Sequence, residues 1–197
     1  MRATTGARRA FPAGVVACLV GCLASLAACT DDSDDPSPPS DGPSSVALEL
    51  SLGPGADGLT TEARDDLQND VGALLTTYVV DGFLGDYPRE DFVSVLDSFT
   101  AGEAPHAAQE LEQITGTSFA AADQVVATRL EARLSTFAPG TEALGVSAAV
   151  DFAFDVTEGG ETREETMTGR MLLTPENGEW RIFGFQVHGI VSEEVAS

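Results

Sequence analysis

The sequence predicts an α+β domain, with N-terminal helices packed on a curved antiparallel meander of four strands. Two observations predict it. Apolar residues recur with a helical period from Thr60 to Thr115, then with a period of two after Asp123. Gly- and Pro-containing turn signals separate the alternating segments, the pattern of strands joined edge to edge rather than through helices.

The elements follow in order. Val46-Ala47-Leu48-Glu49-Leu50-Ser51-Leu52 alternates and predicts a short strand, ended by Gly53-Pro54-Gly55. Thr60 or Thr61 caps the first helix, whose first turn holds Glu62, Asp65 and Asp66, where the helix dipole favours acids. Ala63, Leu67, Val71, Leu74, Leu75 and Tyr78 fall on one face of it, and Asp81-Gly82 is its expected stop. Asp86 is the expected cap of a second helix, with Pro88 early in it and Phe92, Val95, Leu96 and Phe99 as its apolar stripe. A third helix is expected from Pro105 to Thr115, with Leu111 and Ile114 inward and Gly116 as its stop.

Leu130, Ala132 and Leu134 then alternate with Arg129, Glu131 and Arg133, and Val146, Ala148, Val150, Phe152, Phe154 and Val156 alternate with mostly small or acidic residues. Glu158-Gly159-Gly160-Glu161 turns the chain into a strand over Arg163–Thr174; Pro175-Glu176-Asn177-Gly178-Glu179 turns it into a last one over Trp180–His188. On that last strand Phe183, Phe185 and Val187 share one face, and Trp180, Ile182, Gln186 and His188 the other. Apolar residues on both predict that both faces are covered. One packs on the helices; the other belongs to the core, meets a second subunit or lines a pocket.

Residues 46–197 have the size of one domain. Residues 30–45 (TDDSDDPSPPSDGPSS) cannot bury enough apolar area to offset the entropy of ordering and predict a tether. The first 28 residues carry Arg2, Arg8 and Arg9 and then an apolar run from about Val15 to Ala27, the plan of a secretory signal and too short for a spanning helix of roughly 20 apolar residues. Leu26-Ala27-Ala28-Cys29 closes that run and resembles a bacterial lipobox. The resemblance implies cleavage before Cys29, a diacylglyceryl group on its thiol, and a protein anchored on the outer, extracytoplasmic face of a cell membrane. Two or more acyl chains, at about 0.8 kcal/mol per buried methylene, make release negligible. Ordinary secretion, with Cys29 a bystander, is the alternative. Arg8-Arg9-Ala10-Phe11 resembles, in part, a twin-arginine export signal. Cys18 and Cys22 lie in the removed segment, so the domain would have no disulfide and no cysteine metal site.

Composition excludes several chemistries. All ten basic residues are arginine, which resembles the usage of high-GC, actinobacterial-type proteins. Without lysine there is no Schiff base and no Walker A motif. Two histidines cannot make a three-histidine metal site, and no H-E-x-x-H occurs. Gly145-Val146-Ser147-Ala148-Ala149 fails as a nucleophile elbow at its last position. Asp31-Asp32-Ser33-Asp34-Asp35 lacks the Gly and Glu of a calcium loop. No cofactor is expected. All 32 acids follow residue 28 while three of the ten arginines precede it, so the remainder carries 7 − 32 = −25 charges. Such a surface repels nucleic acid and anionic headgroups. Solubility is the plain account of it; a cationic partner or loosely held divalent cations is the sharper one.

Three helices followed by a long antiparallel meander ending in Trp180-Arg181-Ile182 resembles the nuclear-transport-factor-2-like fold, in which the sheet curls into a cone around the helices. The resemblance covers about residues 59–188; cystatin-like lipoproteins are the nearest competing fold. Members commonly place a short strand or hairpin between the second and third helices, for which Ser98–Ala104 is too short, and the N-terminal strand here is extra. The resemblance implies a choice of roles. Exported members are often non-catalytic accessory or binding proteins, some associated with Mce-type lipid import, and homodimers through the sheet are common; ketosteroid isomerases of the family use an aspartate base and a tyrosine donor.

Tyr78, Asp97, Trp180 and His188 are the candidate pocket residues. Tyr78, or Tyr87, with Asp97 would supply a hydroxyl and a carboxylate, although Tyr78 also continues an apolar face. His188, near a strand end, can act as acid or base or sit exposed at the surface; His106, in a helix's first turn, is expected to be exposed. Arg129, Arg133, Arg170 and Arg181 either form cross-strand ion pairs or face an anionic ligand. The leading expectation is a non-catalytic, lipid-anchored module that binds a small apolar ligand or an envelope protein. The alternative is an isomerase or dehydratase with an acid and a tyrosine inside the cone. An interior filled by Phe92, Phe99, Phe152 and Phe154 would leave no room for a substrate and move binding to the surface.

Overall fold

The computed structural model describes residues 46–192. The signal, Cys29 and the tether lie outside them. The described residues form an α+β fold: helices and 3-10 turns come first, and one sheet with strand order β1-β2-β3-β4-β5 is completed after them. The strands are β1 (Glu49–Leu52), β2 (Gln124–Phe137), β3 (Gly145–Glu158), β4 (Glu161–Glu176) and β5 (Glu179–Ser192). The sheet therefore has five strands, not four. β1 joins it parallel to β2, with Leu50 beside Ala132, and the whole helical region is the long crossover that a parallel neighbour requires. The other neighbouring pairs are antiparallel. Gly159 (φ 60°) with Gly160 (φ 84°), and Asn177 (φ 54°) with Gly178 (φ 88°), close two-residue turns whose positive φ values match the twist of the flanking strands.

Helix α1 (Thr61–Phe83) lies on one face of the sheet. The Thr60 hydroxyl accepts from the Ala63 N–H at 3.1 Å, and Leu67, Val71, Leu75, Tyr78, Val79 and Phe83 are buried. The helix runs through Gly82, the expected stop, because that glycine serves packing: a Cβ there would stand 3.3 Å from Val95 Cγ2.

The expected second helix does not form. Residues 89–92 are irregular and only a 3-10 turn, Val93–Ser98, follows. Asp86 does not cap it: the N-cap position is Phe92, without a side-chain bond, and just before it the Asp91 Oδ1 accepts from the Val93 N–H at 2.8 Å. The Arg89 N–H donates to Ala120 O at 2.8 Å rather than into a helix, and its guanidinium donates to carbonyls at the end of α1, those of Val80, Asp81 and Leu84. The apolar stripe still faces inward, with Phe92, Val95 and Phe99 buried. The third helix divides at Glu110 (φ −103°, ψ 16°) into α2 (Ala104–Gln109) and α3 (Leu111–Ile114). Gly116 opens a 3-10 turn instead of stopping a helix; a Cβ there would meet the Phe119 ring at 2.5 Å. The segment after Ser98 makes one isolated parallel bridge, Phe99 to Ile182, against the free edge of β5.

Aromatic rings fill the space between α1 and the sheet. Phe83 meets Phe152 edge-on at 5.3 Å, Phe152 stacks on Phe154 at 4.8 Å, and Phe119 closes on Phe154 at 5.3 Å. Met167, Met171, Leu173 and Ile182 complete the layer. These residues all lie within 46–192, and the chain from Ser40 onward forms a compact unit of its own. The described residues thus share one core, which makes 40–197 the natural folding unit to test.

The last strand differs from its expected faces. Leu172 pairs with Gly184 while Leu173 pairs with Ile182, so Phe183 is an extra, bulged residue. Beyond it the faces exchange. Phe185 and Val187 join Ile182 on the core side, and Phe185 packs edge-on against Phe99 at 5.6 Å. Phe183 stands out on the opposite, helix-free side, called the open face below.

Candidate functional site

The four pocket candidates do not converge. Tyr78 is buried, and its hydroxyl donates to Ile114 O at 2.6 Å. Burial raises its pKa far above the tyrosine range, which keeps it a neutral donor. Tyr87 is engaged in the same way, donating to Phe83 O at 2.7 Å, and burial pushes its pKa up to about 12 against the opposing pull of Arg89. Both tyrosine hydroxyls of the chain therefore serve backbone carbonyls.

Asp97 is exposed at the end of the 3-10 turn, and its backbone carbonyl accepts from Arg181. Trp180 is half-buried against the core. These two meet at the rim of an open groove of about 360 Å³ between α1 and the start of β5, which Ser98 also lines. His188 lies elsewhere, exposed on the open face beside Thr168 and Gly169. His106 is half-exposed; its ring stacks on Phe185 at 5.2 Å and its Nδ1 is 2.9 Å from Glu103 Oε1. Among the described residues no group of three His, Cys, Asp or Glu side chains is placed to hold a metal ion.

The interior contains Phe92, Phe99, Phe152 and Phe154, each 5% exposed or less, and the depressions found on the domain open to solvent. The most apolar of them lies on the open face. Phe137 (66% exposed), Leu144 (53%), Phe183 (45%) and Leu172 (37%) rim a groove of about 630 Å³. Ser135, Ser147, Gly145 and Thr174 lie between them, small enough to leave its floor low. Sequence reasoning missed Phe137, Leu144 and Leu172. One signal was present: in the doublet Leu172-Leu173, an alternating strand must turn one leucine away from the core.

The charged part of the open face adjoins this groove. Arg129 Nη2 donates to Asp151 Oδ1 at 2.9 Å and its Nε lies 3.8 Å from Glu131. On the other, core-facing side of β4, Arg163 holds the buried Glu165 at 2.8 Å and reaches Glu158 at 3.3 Å; a buried carboxylate needs such a partner. Arg181 reaches Glu179 as well as Asp97 O. Arg64 and Arg89 donate to backbone carbonyls. Of the four arginines considered from the sequence, Arg129 and Arg181 are thus engaged, whereas Arg133 and Arg170 have no hydrogen bond or ion pair among the described residues.

No helix among the described residues is long and apolar enough to cross a membrane. No family model, curated protein or solved structure matches this chain.

Proposed function

We propose that this protein is a non-catalytic binding module, anchored through Cys29 to the outer face of the cell membrane, and that it binds on the open face of its sheet. One observation carries the second half: four large apolar side chains, Phe137, Leu144, Leu172 and Phe183, gather around one exposed groove while the interior is filled by phenylalanine. Fully burying one such side chain stabilises by about 1.5–3 kcal/mol, so a partner that covers the groove gains several kcal/mol from water exclusion alone. An apolar cluster on a domain with 32 acids in its chain marks a site of interaction rather than a chance of composition. An acid–tyrosine enzyme finds less support, because it needs a tyrosine hydroxyl free to face an acid, and both hydroxyls donate to carbonyls.

The nuclear-transport-factor-2-like cone and the lipoprotein anchor belong to this proposal. The element order supports the first and Leu26-Ala27-Ala28-Cys29 supports the second. The test is binding of a neutral solvatochromic dye, Nile red, to residues 40–197. The domain should bind it and shift its emission to the blue. Replacing both Leu172→Ser and Phe183→Ser should weaken binding about tenfold or more, at roughly the loss of two buried apolar contacts. Undiminished binding by that variant would place the apolar site elsewhere.

A further inference from the structure

We infer that the outer edge of β5 pairs, antiparallel, with the same edge of a second copy of this chain. Two five-stranded sheets then join edge to edge, and both open faces stay uncovered. This goes beyond the binding surface proposed above and does not depend on what fills its groove.

β5 is the last strand of the sheet, at the side away from β1. The segment after Ser98 covers its outer edge only at one point, where Phe99 bridges to Ile182 and the Thr100 N–H donates to Ile182 O at 2.9 Å. From Phe183 to Val191 that edge has no backbone hydrogen bond to a residue outside the sheet, among the described residues. Unpaired N–H and C=O groups in a row are a template for another strand. The core is also unfinished here. Phe185, Val187 and Ile190 pack on the core side yet are only half-buried, whereas Met171 and Met167, opposite Phe185 and Ile190 on β4, are 1% and 0% exposed.

Charge and proline guard most exposed strand edges, and this one has neither. Ile182–Val191 (IFGFQVHGIV) holds no acid, arginine or proline in a chain with 32 acids, and acids resume at Glu193 and Glu194. The opposite edge is guarded: β1 is four residues long and exposes Glu49. The bulges twist β5 but leave Gly184–Val187 in regular register between them. A second copy is the occupant this chemistry fits. Two chains of formal net charge −22 repel wherever acids face acids, so an uncharged edge is where they can approach. Antiparallel pairing about a two-fold axis beside Gln186–His188 sets no charged residue opposite another, and one self-complementary patch serves both copies. It also brings the Val191 end of one copy to the Phe183 end of the other. The two large apolar side chains that β5 exposes, Val191 (59%) and Phe183, then cover one another.

The test uses residues 40–197, which contain no native cysteine. Sedimentation velocity should show a monomer–dimer equilibrium that shifts toward the dimer as protein concentration rises. It should shift the same way as salt rises, because screening weakens the repulsion between the acidic surfaces. The variant Gln186→Cys/His188→Cys, altered at exposed positions, should form an inter-chain disulfide under mild oxidation, since opposed residues of antiparallel strands lie within bridging distance. Gln186→Glu/His188→Glu sets carboxylates across from one another at the same positions. It should keep its far-UV spectrum and Tm and weaken the dimer about tenfold or more. A chain that stays monomeric at every concentration and salt, with no inter-chain disulfide in the cysteine variant, overturns the inference and leaves the edge to a foreign strand. A dimer that the glutamate variant leaves intact and Leu144→Ser/Leu172→Ser dissociates overturns it as well, because the copies then meet through the open face.

Discussion

Tyr78 shows how one side chain separates an architectural role from a chemical one. It continues the apolar face of α1 and packs edge-on against Phe83 and Phe99 at 6.2 Å. Its hydroxyl then closes the helical layer by binding Ile114 O, a carbonyl at the end of α3 that water cannot reach through Ile114's buried surroundings. Tyr78→Phe keeps the ring and removes that bond, leaving a buried carbonyl unpaired. The expected cost is about 1–2 kcal/mol, a fall in Tm of roughly 2–8 °C for a domain of this size, with Nile red affinity unchanged. Thermal melting with the Nile red titration checks this. A variant that melts normally but loses binding would show that the hydroxyl meets a ligand.

At the scale of elements, the sequence carried the structure wherever a period or a turn was regular. Leu130, Ala132 and Leu134, and the six alternating residues from Val146 to Val156, are buried as their spacing dictates, and the Gly159-Gly160 and Asn177-Gly178 turns close where glycine permits positive φ. The elements that departed from the pattern did so through contacts distant in sequence. Phe92, Val95 and Phe99 have helical spacing, yet Arg89 is drawn to the carbonyls of α1 and to Ala120 O, so the segment meets the core as a loop and a 3-10 turn. A bulge adds one residue and reverses the side chains after it, here as far as the second register shift opposite Met167–Gly169, which is why Phe185 and Val187 exchanged faces with the expectation. The apolar groove was hidden for the same reason: Phe183 belongs to that bulge, and Phe137 and Leu144 lie at the two ends of a hairpin loop. The arginine row was half legible. Strand alternation placed Arg133 and Arg170 outward, but which arginines find acids depends on cross-strand register.

At the scale of the molecule, the proposal joins charge to a lipid anchor. With all 32 acids beyond residue 28, that part of the chain is repelled by anionic headgroups. The proposed lipid on Cys29 would then be what keeps the protein at the membrane. Cys29→Ser should therefore abolish acylation and either release the protein from the membrane fraction or leave its signal uncleaved; unchanged fractionation and processing would refute the anchor. On the open face four large exposed apolar side chains surround one groove, and the proposed binding activity stands on it. Backbone amide chemical shifts of residues 40–197, recorded during a titration with Nile red, test this most directly. The account predicts perturbations confined to residues near Ser135–Phe137, Leu144–Ser147, Leu172–Thr174 and Phe183–Gly184. Perturbations centred on Tyr78, Phe83, Phe152 and Phe154 would contradict it, because they would mean that the ligand enters the core.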